Sequence, residues 1–230
     1  MKRLTDSLTN MAVVLTLIAV ITGGILAYVN HITEGPIKEK DEQALENGIK
    51  SVMNDPNAIV ANTVDTTLTL SGAEKPSKFT IYNINNADGE EAGVAVKSTT
   101  TGFGGDLEVL VGFDKEDNIL GYSILKTVET PGLGAKADTW FQKGQKGDII
   151  GKNPADETFS VSKDGGEIDA ITASTITSRA FLLAVRQGFL AYKKANEEKG
   201  PNVEAATCAT KQYATDKGND ENVKDNQKSN

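Results

Sequence analysis

The longest apolar run of the chain lies near its beginning. Residues 11–29 read MAVVLTLIAVITGGILAYV, 19 positions without a charged side chain. As a helix rising about 1.5 Å per residue, this run measures about 28 Å, close to the hydrocarbon thickness of a bilayer. A cleaved signal sequence is the competing interpretation, but its apolar region is typically shorter, about 7–15 residues. The pattern therefore predicts one uncleaved transmembrane helix over 11–29.

The charges around this run indicate its orientation. Lys2 and Arg3 precede it, whereas the lysines that follow it are offset by nearby glutamates. This bias, although weak, favours a cytoplasmic N-terminus over residues 1–10, because positive charge concentrates on the cytoplasmic side of membrane helices. The bulk of the chain is then expected outside the cytoplasm.

After this apolar run, the spacing of apolar residues is first typical of a helix and then typical of β-strands. From Glu34 to Asn54, apolar residues recur mostly at intervals of three and four, which predicts a helix that Asp55-Pro56-Asn57 ends. We interpret 30–75 as a stalk and linker helix region. From about Phe79, four β-branched or aromatic segments alternate with turn-forming residues and predict an antiparallel meander: FTIYNI, GVAVKS, LEVLVGF and ILGYSILKTV.

The last third of the chain predicts one more strand, one long helix and a tail. The strand is expected near Glu167–Ala170, and the helix from Ser174 to Glu198, where an apolar stripe recurs at helical spacing. Residues 201–230 are polar and aperiodic, which predicts disorder. The expected fold is therefore α+β: a single N-terminal transmembrane helix, then an extracytoplasmic domain over 76–200 with an antiparallel sheet and flanking helices.

Composition narrows the chemistry that this domain can carry. Cys208 is the only cysteine and His31 the only histidine in the 230 residues. This excludes an intramolecular disulfide framework, CxxC redox motifs, cysteine-ligated iron–sulfur clusters and multi-histidine zinc sites. The formal net charge of −8 disfavours nucleic acid as a partner. Cys208, in the tail, is interpreted as a bystander thiol.

The segment Thr130-Pro131-Gly132-Leu133-Gly134 directly follows the last strand of the predicted meander. Proline fixes one turn dihedral, and two glycines one residue apart leave backbone amides uncovered by side chains. A flat ligand fits against such a backbone, with Leu133 as an apolar contact. An ordinary tight turn explains the same residues, so this segment alone leaves both interpretations open.

A second segment, DAITASTITS from Asp169 to Ser178, is rich in hydroxyl groups where a strand is predicted to meet a helix. Hydroxyls there cap the helix, and the unpaired amides of a helix N-terminus favour an anion such as phosphate. Taken alone, the residues leave capping and phosphate binding open. A Ser-His-Asp hydrolase is disfavoured, because the only histidine lies at the membrane.

Four features together resemble one known family. They are the N-terminal apolar span, GFGGDLEVLVGFD from Gly102 to Asp114, ETPGLG from Glu129 to Gly134, and the segment D-x-x-T-A-S-T-I-T-S. This combination resembles the FMN-binding G subunit of the Rnf electron-transport complex and its relative, the C subunit of the sodium-translocating NADH:quinone reductase. The resemblance covers nearly the whole chain except the tail.

The resemblance implies a covalent cofactor. In that family, FMN is joined through its phosphate to the threonine that closes an S/T-G-A-T motif, and a magnesium-dependent flavin transferase installs it from FAD. Thr175 falls on the attachment threonine, Thr172 on the first hydroxyl position, and Asp169 on the acidic position that the transferase prefers. Ala173 and Ser174 depart from the usual glycine and alanine. Thr172 or Ser174 is expected to hydrogen-bond the phosphate.

The other motif implies a place for the flavin ring. Glu129, Thr130, Leu133 and Gly134 match the loop that family members lay against the isoalloxazine. Thr127 stands where the family often has histidine, so any role of that histidine is not transferred to this chain.

The resemblance also implies a function, partners and a location. It implies an electron-transfer subunit of a membrane-bound, ion-translocating complex of the Rnf type, without independent catalytic activity. Its expected partners are the other subunits, the flavin transferase and the bacterial inner membrane, crossed once, with the FMN domain on the periplasmic side. Two alternatives stay open: a membrane-tethered extracytoplasmic binding or sensory domain for a free ligand, and a structural subunit without flavin.

Overall fold

The computed structural model describes residues 8–68 and 76–197 of the chain. The predicted tail with Cys208 lies outside the described residues. The described elements are helix α1 (Leu8–Val52), strands β1 (Ile59–Leu68), β2 (Ser77–Asn85), β3 (Glu91–Thr101), β4 (Asp106–Phe113) and β5 (Ile119–Thr127), helix α2 (Ala137–Trp140) and helix α3 (Thr175–Glu197). Short 3₁₀ turns at Gly134–Lys136 and Ser162–Asp164 precede α2 and α3.

The five strands form one sheet in sequence order, and every neighbouring pair is antiparallel. Alternate residues of the central strands enter two cores. Val109 and Val111 of β4 pack with Phe181 of α3, whereas Leu110 packs with Val52 at the end of α1. Because α3 covers one face and α1 the other, the central strands are buried on both sides. The α+β fold with an antiparallel sheet and flanking helices is confirmed.

Helix α1 is one continuous helix of 45 residues, whereas the sequence predicts a span over 11–29 and a separate helix from Glu34. Pro36 lies inside it, where proline cannot donate the usual hydrogen bond to the preceding turn, yet the helix does not end there. By length and composition, the part of α1 from Asn10 to Val52 is apolar enough to cross a membrane, and no other described helix is. Its apolar window is not covered by the rest of the described chain.

The C-terminal end of α1 is closed by a backbone motif. Asn54 adopts a left-handed conformation with φ of 52°. Its amide donates to the carbonyl of Ser51, and the amide of Asp55 donates to the carbonyl of Lys50, both at 3.2 Å. This pair of bonds is the Schellman arrangement, which satisfies the last carbonyls of a helix.

The same end of α1 is seated on two glycines of the sheet. Gly112 of β4 and Gly121 of β5 face each other across the strand pair. A Cβ atom would lie 2.6 Å from the carbonyl oxygen of Val52 at Gly112 and 2.8 Å from it at Gly121. Since real side chains do not approach backbone so closely, glycine at both positions allows α1 to dock directly on the sheet.

The sequence prediction missed strand β1, which lies in the range interpreted as stalk and linker. Only Leu68 of its ten residues is buried, so this edge strand carries almost no hydrophobic signal. The strand predicted near Glu167–Ala170 is a single parallel bridge between Val161 and Ile168. Helix α3 begins one residue after its predicted start at Ser174, and it is helical up to Glu197, the last residue that the structure describes.

Candidate functional site

A cavity of about 430 Å³ lies where the ends of β3 and β5 meet the first turn of α3. This volume is within the range of about 300–1,000 Å³ that is typical of small-molecule sites. The cavity is lined by Phe103, Glu129, Thr130, Leu133, Gly134, Ala173, Ser174, Thr175, Ile176 and Thr177. A larger groove of about 700 Å³ between α1 and the β1–β2 edge contains none of the predicted site residues.

The structure brings together two segments that the sequence could only treat separately. Six of the seven predicted site residues line the cavity: Glu129 and three further residues of the ETPGLG loop, and two residues, Ser174 and Thr175, at the junction into α3. Thr175 is half-buried at the rim, and Ser174 is buried. Thr172, the seventh, is exposed and does not belong to the lining.

Glu129 joins three walls of the cavity through its buried carboxylate. Oε1 accepts hydrogen bonds from the backbone amides of Phe103 at 2.6 Å and Gly104 at 3.2 Å. Oε2 accepts one from the hydroxyl of Thr177 at 2.9 Å. The side chain is 7% exposed. With both oxygens engaged inside the protein, Glu129 fixes the shape of the cavity.

Two glycines leave room for this carboxylate. A Cβ atom at Gly102 would collide with Oε1 of Glu129, and one at Gly134 would collide with Oε2. The glycines of the GFGG and ETPGLG motifs therefore have a steric role that the sequence does not reveal. They allow the β3–β4 turn and the ETPGLG loop to close around one buried acid.

The connection into α3 is stabilised by Ser178. Its hydroxyl accepts from the amide of Ile171 at 2.9 Å and donates to the carbonyl of Ser174 at 3.0 Å. The amide of Ser178 donates to the same carbonyl at 3.0 Å, and this is the first hydrogen bond of the helix. The amides of residues 175–177 precede it, so they are available to an anion at the positive end of the helix dipole.

Ala173 holds an unusual backbone conformation at this junction, with φ of 62°. This left-handed region is readily adopted by glycine and costs an alanine about 1–2 kcal/mol. The family motif has glycine at this position. The departure seen in the sequence therefore coincides with backbone strain at the edge of the cavity.

Charged side chains lie beside Thr175 on the turn Ser162–Asp164. Nζ of Lys163 donates a hydrogen bond to Oγ1 of Thr175 at 3.0 Å. Asp164 accepts two hydrogen bonds from the guanidinium of Arg179, at 2.7 and 2.6 Å. These bonds hold the pKa of the Asp164 carboxyl below its usual value. Sequence reasoning missed Lys163, because no periodicity or motif relates it to Thr175, 12 positions later.

The cavity has an apolar rim and, beside Thr175, groups whose charge favours an anion. Phe103, Leu133 and Ile176 line it and are 71%, 42% and 53% exposed. Exposed large apolar side chains clustered around one opening indicate a ligand or partner surface. The free amides at the start of α3 and the ammonium of Lys163 favour a negatively charged group beside Thr175. The arrangement fits a flat ring system that carries a phosphate.

Comparisons with known proteins agree with a site for a flat ring system that carries a phosphate. Residues 102–189 match the family described as the FMN-binding domain, and residues 1–52 match the RnfG N-terminal region. The fold is similar to that of Shewanella oneidensis NqrC, with a TM-score of 0.51 and 15% identity, covering 69% of this chain and 99% of that one. The fold and the site thus define an FMN-binding-type domain behind an apolar N-terminal helix.

Two relatives narrow the class. The chain is 33% identical over 192 residues to the G subunit of the Na(+)-translocating ferredoxin:NAD(+) oxidoreductase complex of Acetobacterium woodii, covering 80% of this chain and 90% of the relative. It is 32% identical over 180 residues to the G subunit of the ion-translocating oxidoreductase complex of Vibrio parahaemolyticus, covering 75% and 83%. The chain belongs to the family of G subunits of ion-translocating oxidoreductase complexes. The resemblance inferred from the sequence motifs is confirmed.

Proposed function

We propose that this protein carries FMN, attached covalently through Thr175, and relays electrons within a membrane-bound, ion-translocating oxidoreductase of the Rnf type. The observation that carries the proposal is the meeting of the two motifs at one cavity. The hydroxyl of Thr175 stands at the rim, beside the free amides of α3 and opposite the ETPGLG loop. Family membership supports the same cofactor.

The proposed attachment is a phosphate ester. The hydroxyl of Thr175 loses its proton, and its oxygen forms a bond to the phosphorus of the FMN half of FAD. The pyrophosphate bond of FAD breaks, and AMP leaves. A separate flavin transferase catalyses this exchange. The half-buried position of Thr175 supports the proposal, because its hydroxyl is within reach of another protein.

The remaining lining residues orient the ring. Leu133 and Phe103 offer apolar contacts, and Thr130 and Gly134 line the cavity beside them. A bound FMN supplies one-electron and two-electron redox chemistry, which the protein tunes through contacts near the ring. An open site holds a free ligand weakly, and a covalent bond removes dissociation while leaving the ring edge approachable.

We further propose the placement of the chain in the cell. The N-terminal part of α1 crosses the bacterial inner membrane once, with residues 1–10 in the cytoplasm and the FMN domain in the periplasm. The lysine and arginine before the apolar run support this orientation. Partners are the other subunits of the complex. An alkaline phosphatase fused behind α3 is expected to be active, and an inactive fusion protein that is nevertheless made would reverse the orientation.

The attachment is tested with two substitutions of Thr175. The full chain is expressed with a flavin transferase, denatured on a gel and viewed under ultraviolet light. We expect a fluorescent band for the parent and for Thr175→Ser, which keeps a hydroxyl, and no band for Thr175→Val, which keeps only the shape.

A band that persists in Thr175→Val would refute the attachment site. Its absence in the parent would favour the alternatives, a tethered binding or sensory domain or a structural subunit without flavin. A sensory or binding domain would also keep full activity in Thr175→Ala.

A further inference from the structure

The turn Ser162–Asp164 places the ammonium group of Lys163 beside Oγ1 of Thr175, the atom to which the proposed function attaches FMN. The Nζ–Oγ1 distance between Lys163 and Thr175 is 3.0 Å, within the range of a hydrogen bond. We propose that Lys163 assists the attachment of the flavin phosphate to Thr175 and then serves as the charge partner of the phosphodiester. This inference rests on the proposed function and assigns a residue outside both family motifs.

The turn that carries Lys163 is fixed against α3. Both carboxylate oxygens of Asp164 accept hydrogen bonds from Arg179, which lies one helical turn after Thr175. Paired, forked hydrogen bonds of this kind add geometric specificity. Gly165 closes the turn with φ of 89°. Lys163 is therefore held beside Thr175 by its own neighbours in the chain, although it is itself exposed.

Of the two described cations beside Thr175, Lys163 and Arg179, Lys163 is the one that forms no ion pair within the described part of the chain. Arg179 and Asp164 neutralise each other in their ion pair. Asp169, the nearby acid of the family motif, accepts a hydrogen bond from the hydroxyl of Ser162 at 3.4 Å. The ammonium of Lys163 instead donates directly to the Thr175 oxygen. An anion attached to that oxygen would thus enter the field of Lys163 and of the first amides of α3.

The proposed role follows from where charge develops in the transfer. As the oxygen of Thr175 loses its proton to a base of the transferase and bonds to phosphorus, negative charge grows on that oxygen and on the phosphate oxygens. A donor already directed at the oxygen stabilises this charge without reorganisation. When AMP has left, the phosphodiester keeps one negative charge beside the lysine, which binds phosphate as a point charge.

The rate at which FMN becomes attached to Thr175 tests whether Lys163 assists the attachment. Purified full chain in detergent is incubated with flavin transferase, FAD and Mg²⁺, and covalent flavin is followed by gel fluorescence and intact mass. We expect Lys163→Met to slow the initial rate about fivefold or more, the size of a charge-assisted hydrogen bond reduced by solvent exposure. Lys163→Arg should recover the rate to within about twofold, since it restores the charge.

Two further variants make this measurement decisive. Lys115→Met removes another exposed lysine, from the β4–β5 turn at the opposite end of the sheet, and should react at the parent rate. Lys163→Gln keeps a donor without the charge and should stay slow. If Lys163→Gln or Lys163→Met reacts as fast as the parent, Lys163 has no role in attachment.

The second half of the role has a spectroscopic readout. After prolonged incubation has loaded every variant, the ³¹P resonance of the phosphodiester should differ between the parent and Lys163→Met, and coincide between the parent and Lys115→Met. Identical resonances in all three would overturn the charge pairing. A parent that gains no flavin, or a Thr175→Val chain that does, would instead overturn the proposed function itself, so the two failures are distinguishable.

Discussion

The carboxylate of Glu129 accepts a hydrogen bond from the hydroxyl of Thr177 at 2.9 Å, and both side chains are buried. This bond joins the loop after β5 to the first turn of α3, and the second oxygen of Glu129 holds the β3–β4 turn through the amides of Phe103 and Gly104. One acid thus determines how the three walls of the cavity meet.

Removing the Thr177 hydroxyl should destabilise the domain. Thr177→Val leaves one oxygen of a buried carboxylate without its donor, which we expect to lower the free energy of unfolding by about 1–3 kcal/mol. Thr177→Ser keeps the donor and should lose clearly less. Urea unfolding is followed by the fluorescence of Trp140, the only tryptophan, whose Nε1 donates to the carbonyl of Asp169 beside the site. Equal losses in both variants would contradict this role of the hydroxyl.

Relieving the strained backbone at Ala173 should stabilise the domain. Its φ of 62° suits glycine, so Ala173→Gly is expected to raise the free energy of unfolding by up to about 1 kcal/mol. Ala180→Gly, at a helical backbone position of α3, is the control and should lower it by about 1–2 kcal/mol, because glycine disfavours a helix and a buried methyl group is lost. The same urea titration measures both. A loss of stability in Ala173→Gly would show that the greater freedom of glycine in the unfolded chain outweighs the relief of strain.

Introducing a charge on the rim tests where the ring lies. Leu133→Asp should keep the covalent flavin band but shift the absorption maximum or the reduction potential of the flavin, because a carboxylate then stands beside the proposed ring site. Leu190→Asp is the control: Leu190 is similarly exposed, 46% against 42%, but lies about 22 Å along α3 from Thr175. An unchanged spectrum and potential in Leu133→Asp would place the ring elsewhere.

Tyr122 gives the domain a dependence on alkaline pH. Its hydroxyl donates to the carbonyl of Ala137 at 2.7 Å and accepts from the amide of Phe141 at 3.2 Å. Burial raises the pKa of Tyr122 well above its usual value. Because the folded pKa exceeds the unfolded value of about 10, this contribution to stability is complete below about pH 10 and is lost as pH rises further.

Substitution of this tyrosine should therefore flatten the alkaline part of the stability curve. Tyr122→Phe is expected to lower the free energy of unfolding at pH 7 by about 1–3 kcal/mol, since the carbonyl of Ala137 and the amide of Phe141 both lose their hydrogen bond to the hydroxyl. Above about pH 10 its stability should fall less steeply than that of the parent. Some slope should remain, because burial also raises the pKa of Tyr82 and Tyr192. Parallel curves would contradict the assignment.

The fold can be predicted from the sequence where the buried apolar residues of an element recur at regular spacing. Strands β2 to β5 and helix α3 follow from apolar positions that repeat with the period of the element. Strand β1 escapes prediction because it is an edge strand with a single buried residue. The continuity of α1 escapes prediction because the uncharged apolar run ends at Val29 and a polar-faced helical pattern begins only at Glu34. The predicted end of that pattern, at Asp55-Pro56-Asn57, agrees with the end of α1 at Val52.

The site is predictable in its parts and not in its assembly. The ETPGLG loop and the hydroxyl-rich segment stand out by their residues, and the resemblance relates them to one cofactor. No sequence pattern indicates that Glu129 binds amides 26 and 25 positions earlier and a hydroxyl 48 positions later. The role of Lys163 cannot be predicted from the sequence for the same reason, since its contact with Thr175 depends on how the turn Ser162–Asp164 packs against α3.

Because α1 is one continuous helix, it couples the direction in which the cavity opens to the orientation of the apolar helix segment in the membrane. From Val29 to Val52 the helix rises about 35 Å before it reaches Gly112 and Gly121, with no loop in between. A rod of this kind transmits torque, so turning the anchor about its own axis would swing the opening of the cavity through the same angle. A neighbouring protein that binds the apolar part of α1 within the bilayer would thereby set the direction in which the cavity opens, as well as its height above the membrane.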